Sequence, residues 1–206
     1  MEETRSYESS FFEIQDLNSS RTSEFFQPKS GDKWWDACAG SGGKSLLLPE
    51  LVDDVYLFAT DTRENILRSY SSRLRKSGFH SFDTQLYDVS LDRSSPNLPD
   101  FDGIIADVPC SGSGTWGRSP EWNTKEQEGR INAFVNLQRR IVSRLSGYLK
   151  SGRPLIYITC SVFKSENEEN IFYFENNCSL ELEKTAYLKG FDRGADTLFV
   201  ARFIRK

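Results

Sequence analysis

Cys110, in "ADVPCSGSGTWGRSPEW", and Cys160, in "PLIYITCSV", are set alike: each ends an apolar run and opens a polar loop. A thiol is a nucleophile only as its thiolate, so a cysteine at a loop mouth, within reach of neighbouring charge, is placed for reaction. Loops at strand ends carry function more often than core positions do. That separates this pair from Cys38 and Cys178, which read as small buried hydrophobes. A third stretch, "DACAGSGGKS", has glycines at Gly40, Gly42 and Gly43 that let the backbone approach a ligand closely. The loop Cys38, Ala39, Gly40, Ser41, Gly42, Gly43, Lys44 is therefore the candidate cofactor contact. Asp61 ends the next apolar run, where an acid can hold ribose hydroxyls, and Arg63 lies just beyond it. Asp88 and Asp107 close two later runs and add carboxylates to the same edge.

The glycine pattern alone admits a dinucleotide loop, a methyl-donor loop or a plain tight turn. A phosphate loop of the form G-x-x-x-x-G-K-[ST] is disfavoured, because Cys38 stands where its first glycine belongs. An acid-lined edge suits a ligand bearing hydroxyl, amine and amide donors better than one bearing phosphates. Beside a methyl donor a thiol has a specific use. Carbon 5 of a pyrimidine is a poor nucleophile until a thiolate adds to carbon 6, and the thiolate is later eliminated. Asp107 is placed to donate a proton or hydrogen bond to the ring nitrogen as charge builds there. Pro109 fixes the backbone before Cys110, and a cation such as Lys44 would raise a neighbouring thiol's thiolate fraction. Trp116, Arg118 and Trp122 either stack on a flipped or single-stranded base or pack against the sheet. A small-molecule methyltransferase and a non-catalytic scaffold remain the alternatives.

These residues need a framework that gathers strand ends on one edge. "KWWDAC", "DVYLFATD", "FDTQLYDVS", "FDGIIADVPC" and "RPLIYITCSV" read as strands, alternating with helical patterns at Thr62 to Lys76, which Gly78 caps, and at about Thr124 to Tyr148. Ser165 and Glu168 fit a capping box opening a further helix. "LELEKTAYL" and "DTLFVARFI" flank a glycine-containing turn and read as an antiparallel edge pair. The fold class expected is α/β, a doubly wound, mostly parallel Rossmann-like sheet with an antiparallel edge hairpin. In such a sheet Cys110 and Cys160 become neighbours beside the ligand crevice.

Composition narrows the classes. The chain has 206 residues, 37% hydrophobic and 27% charged, which suits one soluble globular domain. A net charge of −4 argues against a broad electrostatic surface for long duplexes. The basic groups Arg68, Arg73, Arg75, Lys76 and Arg139, Arg140, Arg144 read as solvated helix faces. No run is long enough to cross a bilayer and the start lacks a signal peptide, so a cytoplasmic location is expected. Four cysteines without a C-x-x-C pair, with one histidine, suggest free thiols and no metal site. A monomer is expected.

"FFEIQDLNSS", "DACAGSGGKS", "FATD", "ADVPCSGSGTWGRSPEW" and "ITCSVFKSENEENI" together resemble, in order and setting, the RNA cytosine-5 methyltransferases of the RsmB and NOL1/NOP2/Sun type. The resemblance covers nearly the whole chain, and the Pro-Cys and Thr-Cys-Ser motifs are its most specific parts. It implies S-adenosylmethionine as methyl donor and a cytosine in rRNA or tRNA as acceptor. It also implies Cys160 as the nucleophile on carbon 6, Cys110 as the thiol assisting product release, and Asp61, Asp88 and Asp107 near the cofactor. The family loop commonly reads Cys-Ala-Ala-Pro-Gly-Gly-Lys, whereas Gly40 and Ser41 stand here in place of Ala and Pro. On this reading residues 1–30 are a lead-in carrying the Gln-Asp motif, packed on a catalytic domain at 31–206. The separate RNA-docking region common in the family is not expected within this chain.

Overall fold

The computed structural model describes residues 13–91, 98–120 and 127–206. Seven strands form one sheet in the order β3-β2-β1-β4-β5-β7-β6. They are β1 (Asp32–Asp36), β2 (Val55–Asp61), β3 (Phe82–Leu86), β4 (Gly103–Asp107), β5 (Pro154–Thr159), β6 (Leu180–Leu188) and β7 (Leu198–Arg205). β3, β2, β1, β4 and β5 run parallel, while β7 is antiparallel to both β5 and β6. The expected doubly wound sheet with its antiparallel edge pair is what forms.

The strands read as apolar runs because both faces of the sheet are covered. Side chains alternate across β1. Trp34 lies on one face with Phe26, Leu57 and Ile105, and Trp35 on the other with Phe58, Phe101 and Ile104. β4 can approach β1 because it begins at Gly103, where an added Cβ would sit 2.3 Å from Trp34. Helices α1 (Leu17–Arg21), α2 (Leu47–Leu51), α3 (Glu64–Lys76), α4 (Gln127–Leu145) and α5 (Glu168–Asn177) flank the sheet.

Helix ends show where local signals hold and where they fail. α3 closes as its sequence dictates: Gly78 takes φ +84°, and its N–H bonds to the Arg75 carbonyl while that of Phe79 bonds to Leu74, a Schellman cap. The Ser165–Glu168 capping box does not form. α5 begins at Glu168 with Asn167 as its cap residue, and Asn167 turns inward instead to bond Thr159 and the Ser161 carbonyl. The expected helix start at Thr124 lies outside the described residues, and the chain leaves α4 through a 3-10 turn at Ser146–Tyr148.

Candidate active site

The order in which the chain adds strands reverses at β1, which has β2 on one side and β4 on the other, so a crevice opens at the carboxyl ends of these parallel strands. A cleft of about 550 Å³ lies there. Its walls include Cys38, Asp61, Arg63, Asp88, Asp107, Cys110 and Cys160, with Val89, Leu137 and Ile141 supplying apolar surface.

The two strand-end thiols meet. Cys110 Sγ and Cys160 Sγ are 3.2 Å apart, a hydrogen-bonding separation and well beyond the roughly 2.05 Å of a disulfide. They are unequal. The hydrogen bond from the Cys110 thiol holds Cys160 below the ordinary thiol range despite burial, whereas that same contact, with burial, pushes Cys110 well above it. Cys160 is thus the more readily ionised thiol of the pair. Burial, and then the surrounding carboxylates, push the half-buried Cys38 upward, so it borders the cleft as an unreactive thiol and not as the buried core residue expected.

Backbone bonds hold the thiol loops. β4 pairing continues past its end through Val108 N–H to the Ile158 carbonyl at 3.1 Å, and Gly114 N–H reaches the Cys160 carbonyl at 2.8 Å. Behind them lies a buried polar network. Glu166 accepts from Ser111 N–H at 2.9 Å, from Gln138 Nε2 at 2.9 Å and from Ser161 Oγ at 2.5 Å.

On the other wall, Asp61 is paired with Arg63, Oδ1 to Nε at 2.9 Å, and accepts from Gly40 N–H at 3.1 Å. Burial pushes its carboxyl up, but the Arg63 bonds and that from Gly40 outweigh it and leave the carboxyl below its usual range. Arg63 is largely exposed, at 60% of its side chain, so a hydroxyl donor can displace it. Asp88 accepts from Ser90 N–H at 2.8 Å.

The glycine loop divides in two. Cys38 borders the cleft, while Ala39, Gly40, Ser41, Gly42, Gly43 and Lys44 are not among its lining residues. Gly42, at φ +89°, presses toward Tyr70 and Leu74, where a Cβ would fall 2.9 Å from each. Gly43 accepts from Gln15 Nε2 through its carbonyl, and Ser41 Oγ accepts from Arg73. Lys44 does not face the thiols as its charge suggested. Its Nζ sits 3.2 Å from Asp107 Oδ2 and donates to Ser19 Oγ at 2.7 Å.

Trp116 packs edge-on against Phe163, with ring centroids 5.9 Å apart, and Arg118 grips Asp196 with two hydrogen bonds. Trp122 lies outside the described residues. Sequence reasoning missed the Glu166 network. Only Gln138, fully buried within the apolar stripe of α4, carried a signal, because a polar residue at a core position implies a partner.

The family model for the 16S rRNA methyltransferase RsmB/F matches residues 23–201. Ribosomal RNA small subunit methyltransferase B of Klebsiella pneumoniae is 28% identical over 94% of this chain and 46% of its own length. That of Escherichia coli is 29% identical over 97% and 48%. The chain thus spans about half the length of these relatives. Among solved structures, NSun6 from Pyrococcus horikoshii with SFG superposes with a TM-score of 0.89 at 24% identity, covering 100% of this chain and 56% of that one. A methyltransferase homologue from the same organism gives 0.85 at 24%, covering 100% and 72%.

Proposed function

We propose, from the premise that this chain belongs to the 16S rRNA methyltransferase RsmB/F family, that it transfers a methyl group from S-adenosylmethionine to carbon 5 of a cytosine in ribosomal RNA through an adduct on Cys160. The observation that carries this is the thiol contact of 3.2 Å between the two strand-end cysteines at the cleft.

The cleft fits the donor chemically. Asp61 and Asp88 offer carboxylate oxygens to hydroxyl and amine groups, and Val89, Leu137 and Ile141 offer apolar surface to a base. A structural relative solved with SFG, an analogue of the donor, supports this choice. When bound, the donor supplies an electrophilic methyl group. Asp61 would hold the donor by its ribose hydroxyls in place of Arg63.

The remaining chemistry belongs to this chain. The Cys160 thiolate adds to carbon 6 of cytosine, forming a carbon–sulfur bond and raising electron density at carbon 5. Asp107 faces the same space, placed to pass a proton or hydrogen bond to the ring nitrogen as charge builds there, with Lys44 Nζ 3.2 Å from its Oδ2. After carbon 5 has taken the methyl group its proton passes to water, the electron pair left behind re-forms the ring double bond, and the carbon–sulfur bond breaks with its pair returning to Cys160 as thiolate. Cys110, the thiol beside the leaving sulfur, assists that release.

Residues 1–30 serve as a lead-in to the catalytic domain at 31–206, and the described part of it, from residue 13, docks on that domain. In support, Asp16 accepts from Asp196 N–H and Asn18 donates to the Leu188 and Asp196 carbonyls. Among the described residues no helix is long and apolar enough to cross a membrane, and we assign the chain a cytoplasmic setting as a monomer acting on RNA.

RNA containing 5-fluorocytidine tests the reading, because fluorine at carbon 5 cannot leave as a proton does. Wild type should trap a covalent complex, Cys160→Ala should give neither adduct nor methyl transfer, and Cys110→Ala should accumulate adduct on unmodified RNA. A small-molecule methyltransferase or an inactive scaffold would trap nothing. An adduct that persists in Cys160→Ala and vanishes in Cys110→Ala would exchange the roles.

A further inference from the structure

Glu166 is fully buried, and its carboxylate accepts from three neutral donors: Ser111 N–H, Gln138 Nε2 and Ser161 Oγ. Two of these follow directly after the thiols, Ser111 after Cys110 and Ser161 after Cys160. The third, Gln138, also donates to the Pro109 carbonyl at 2.9 Å, so the backbone is held on both sides of Cys110. The Ser111 and Ser161 hydroxyls lie 3.2 Å apart between the loops. Ser113 Oγ sits at the same distance from Ser161 Oγ and accepts from Val162 N–H at 2.9 Å. A charged group is costly to bury, and here it occupies the seam between two loops that are 50 residues apart in the chain.

We propose that Glu166 is a positioning residue for the thiol pair: its two carboxylate oxygens bridge the Cys110 and Cys160 loops and set the separation of the sulfurs. The proposal rests on the reading of these cysteines as the working thiols. The span of the side chain is what matters. One oxygen reaches Ser111 while the other reaches Ser161, so a shorter acid cannot hold both. The loop separation decides whether the two sulfurs share a hydrogen bond.

Two variants separate span from charge. Glu166→Asp keeps the charge and loses the reach. Glu166→Gln keeps the reach, since its carbonyl can accept from Ser111 and Gln138 and its amide can donate to Ser161 Oγ. The readout is the pH profile of Cys160 alkylation by iodoacetamide in the full chain, without RNA or cofactor, followed by peptide mass spectrometry. Thiolate attack forms the sulfur–carbon bond and expels iodide, so the profile reports the thiolate fraction.

Glu166→Asp should move the Cys160 midpoint upward and slow alkylation near neutral pH at least about tenfold. Glu166→Gln should stay within about twofold of wild type. An unchanged profile in Glu166→Asp overturns the proposal, and so does equal impairment in both variants. Ser161→Ala, which cuts one arm only, decides the matter should Glu166→Asp fail to give a cooperative melt: a shifted profile supports the bridge and a wild-type profile overturns it. Alkylation of the free protein is independent of the fluorocytidine trap. Loss of the trap in wild type with the alkylation pattern intact would sink the methyl-transfer reading and leave the bridge standing.

Discussion

Asp36 ends β1 with its side chain enclosed. Oδ2 accepts from Ser45 Oγ at 2.7 Å, that hydroxyl accepts from Tyr70 at 2.9 Å, and Oδ1 has no hydrogen-bond partner. Burial, reinforced by the Asp107 charge, pushes the carboxyl from 3.8 up to about 7. The folded protein therefore keeps a proton that the unfolded chain gives up. Stability falls as pH rises from about 4 to about 7 and stays low above that. At about 1.36 kcal/mol per tenfold change in proton affinity, the full loss is about 4 kcal/mol. About 2.5 kcal/mol of it falls between about pH 5 and about pH 8. Asp36→Asn is uncharged throughout and serves as the reference. Urea unfolding of both proteins should show the stability difference moving in favour of Asn by about 2.5 kcal/mol over that range, or roughly 5–10 °C in Tm for a chain of this length. A difference flat to within about 0.5 kcal/mol refutes the reasoning. It would mean that the Lys44 charge, which opposes the shift, compensates the buried carboxylate in full.

Asp61→Ala should weaken S-adenosylmethionine binding by about 1.5–3 kcal/mol in calorimetry, the scale of a lost charge-assisted hydrogen bond; unchanged affinity would remove Asp61 from the site. Gly114→Ala would drive a Cβ to 2.0 Å from the Thr197 carbonyl oxygen and 3.0 Å from that of Cys160. Thermal melts should register a loss of about 1–3 kcal/mol, as for other overpacked sites, and a wild-type melt would show that the loop yields freely. Trp116→Ala should cost about 2 kcal/mol of stability through lost packing on Phe163. Arg118→Ala should leave RNA affinity within about threefold, because its partner is Asp196 and the pair is largely exposed on the arginine side. A tenfold loss of RNA binding in Arg118→Ala would reassign that residue to the substrate.

The strand-end cysteines were legible in the sequence because parallel strands buried on both faces are written as apolar runs, and whatever follows such a run lands on one edge of the sheet. The same logic made Asp61, Asp88 and Asp107 readable as an acidic rim, and Gly78 as a helix stop, since a left-handed cap is decided within a few residues. Local patterns failed where a long-range partner outbid them. Ser165 and Glu168 match a capping box, yet Asn167 holds the cap position of α5 and turns its side chain into the core without capping. Lys44 follows the glycine loop, but which anion it meets depends on how β1 and β4 abut, and that anion is Asp107. Trp116 carried equal signals for stacking on a base and for packing until the chain placed Phe163 beside it. Glu166 stood in the polar run "SENEEN", where its type and spacing indicate an exposed helix start. Only the tertiary structure buries it between two loops, because hydrogen-bond partners 55 and 28 residues away leave no periodic trace in the sequence around it.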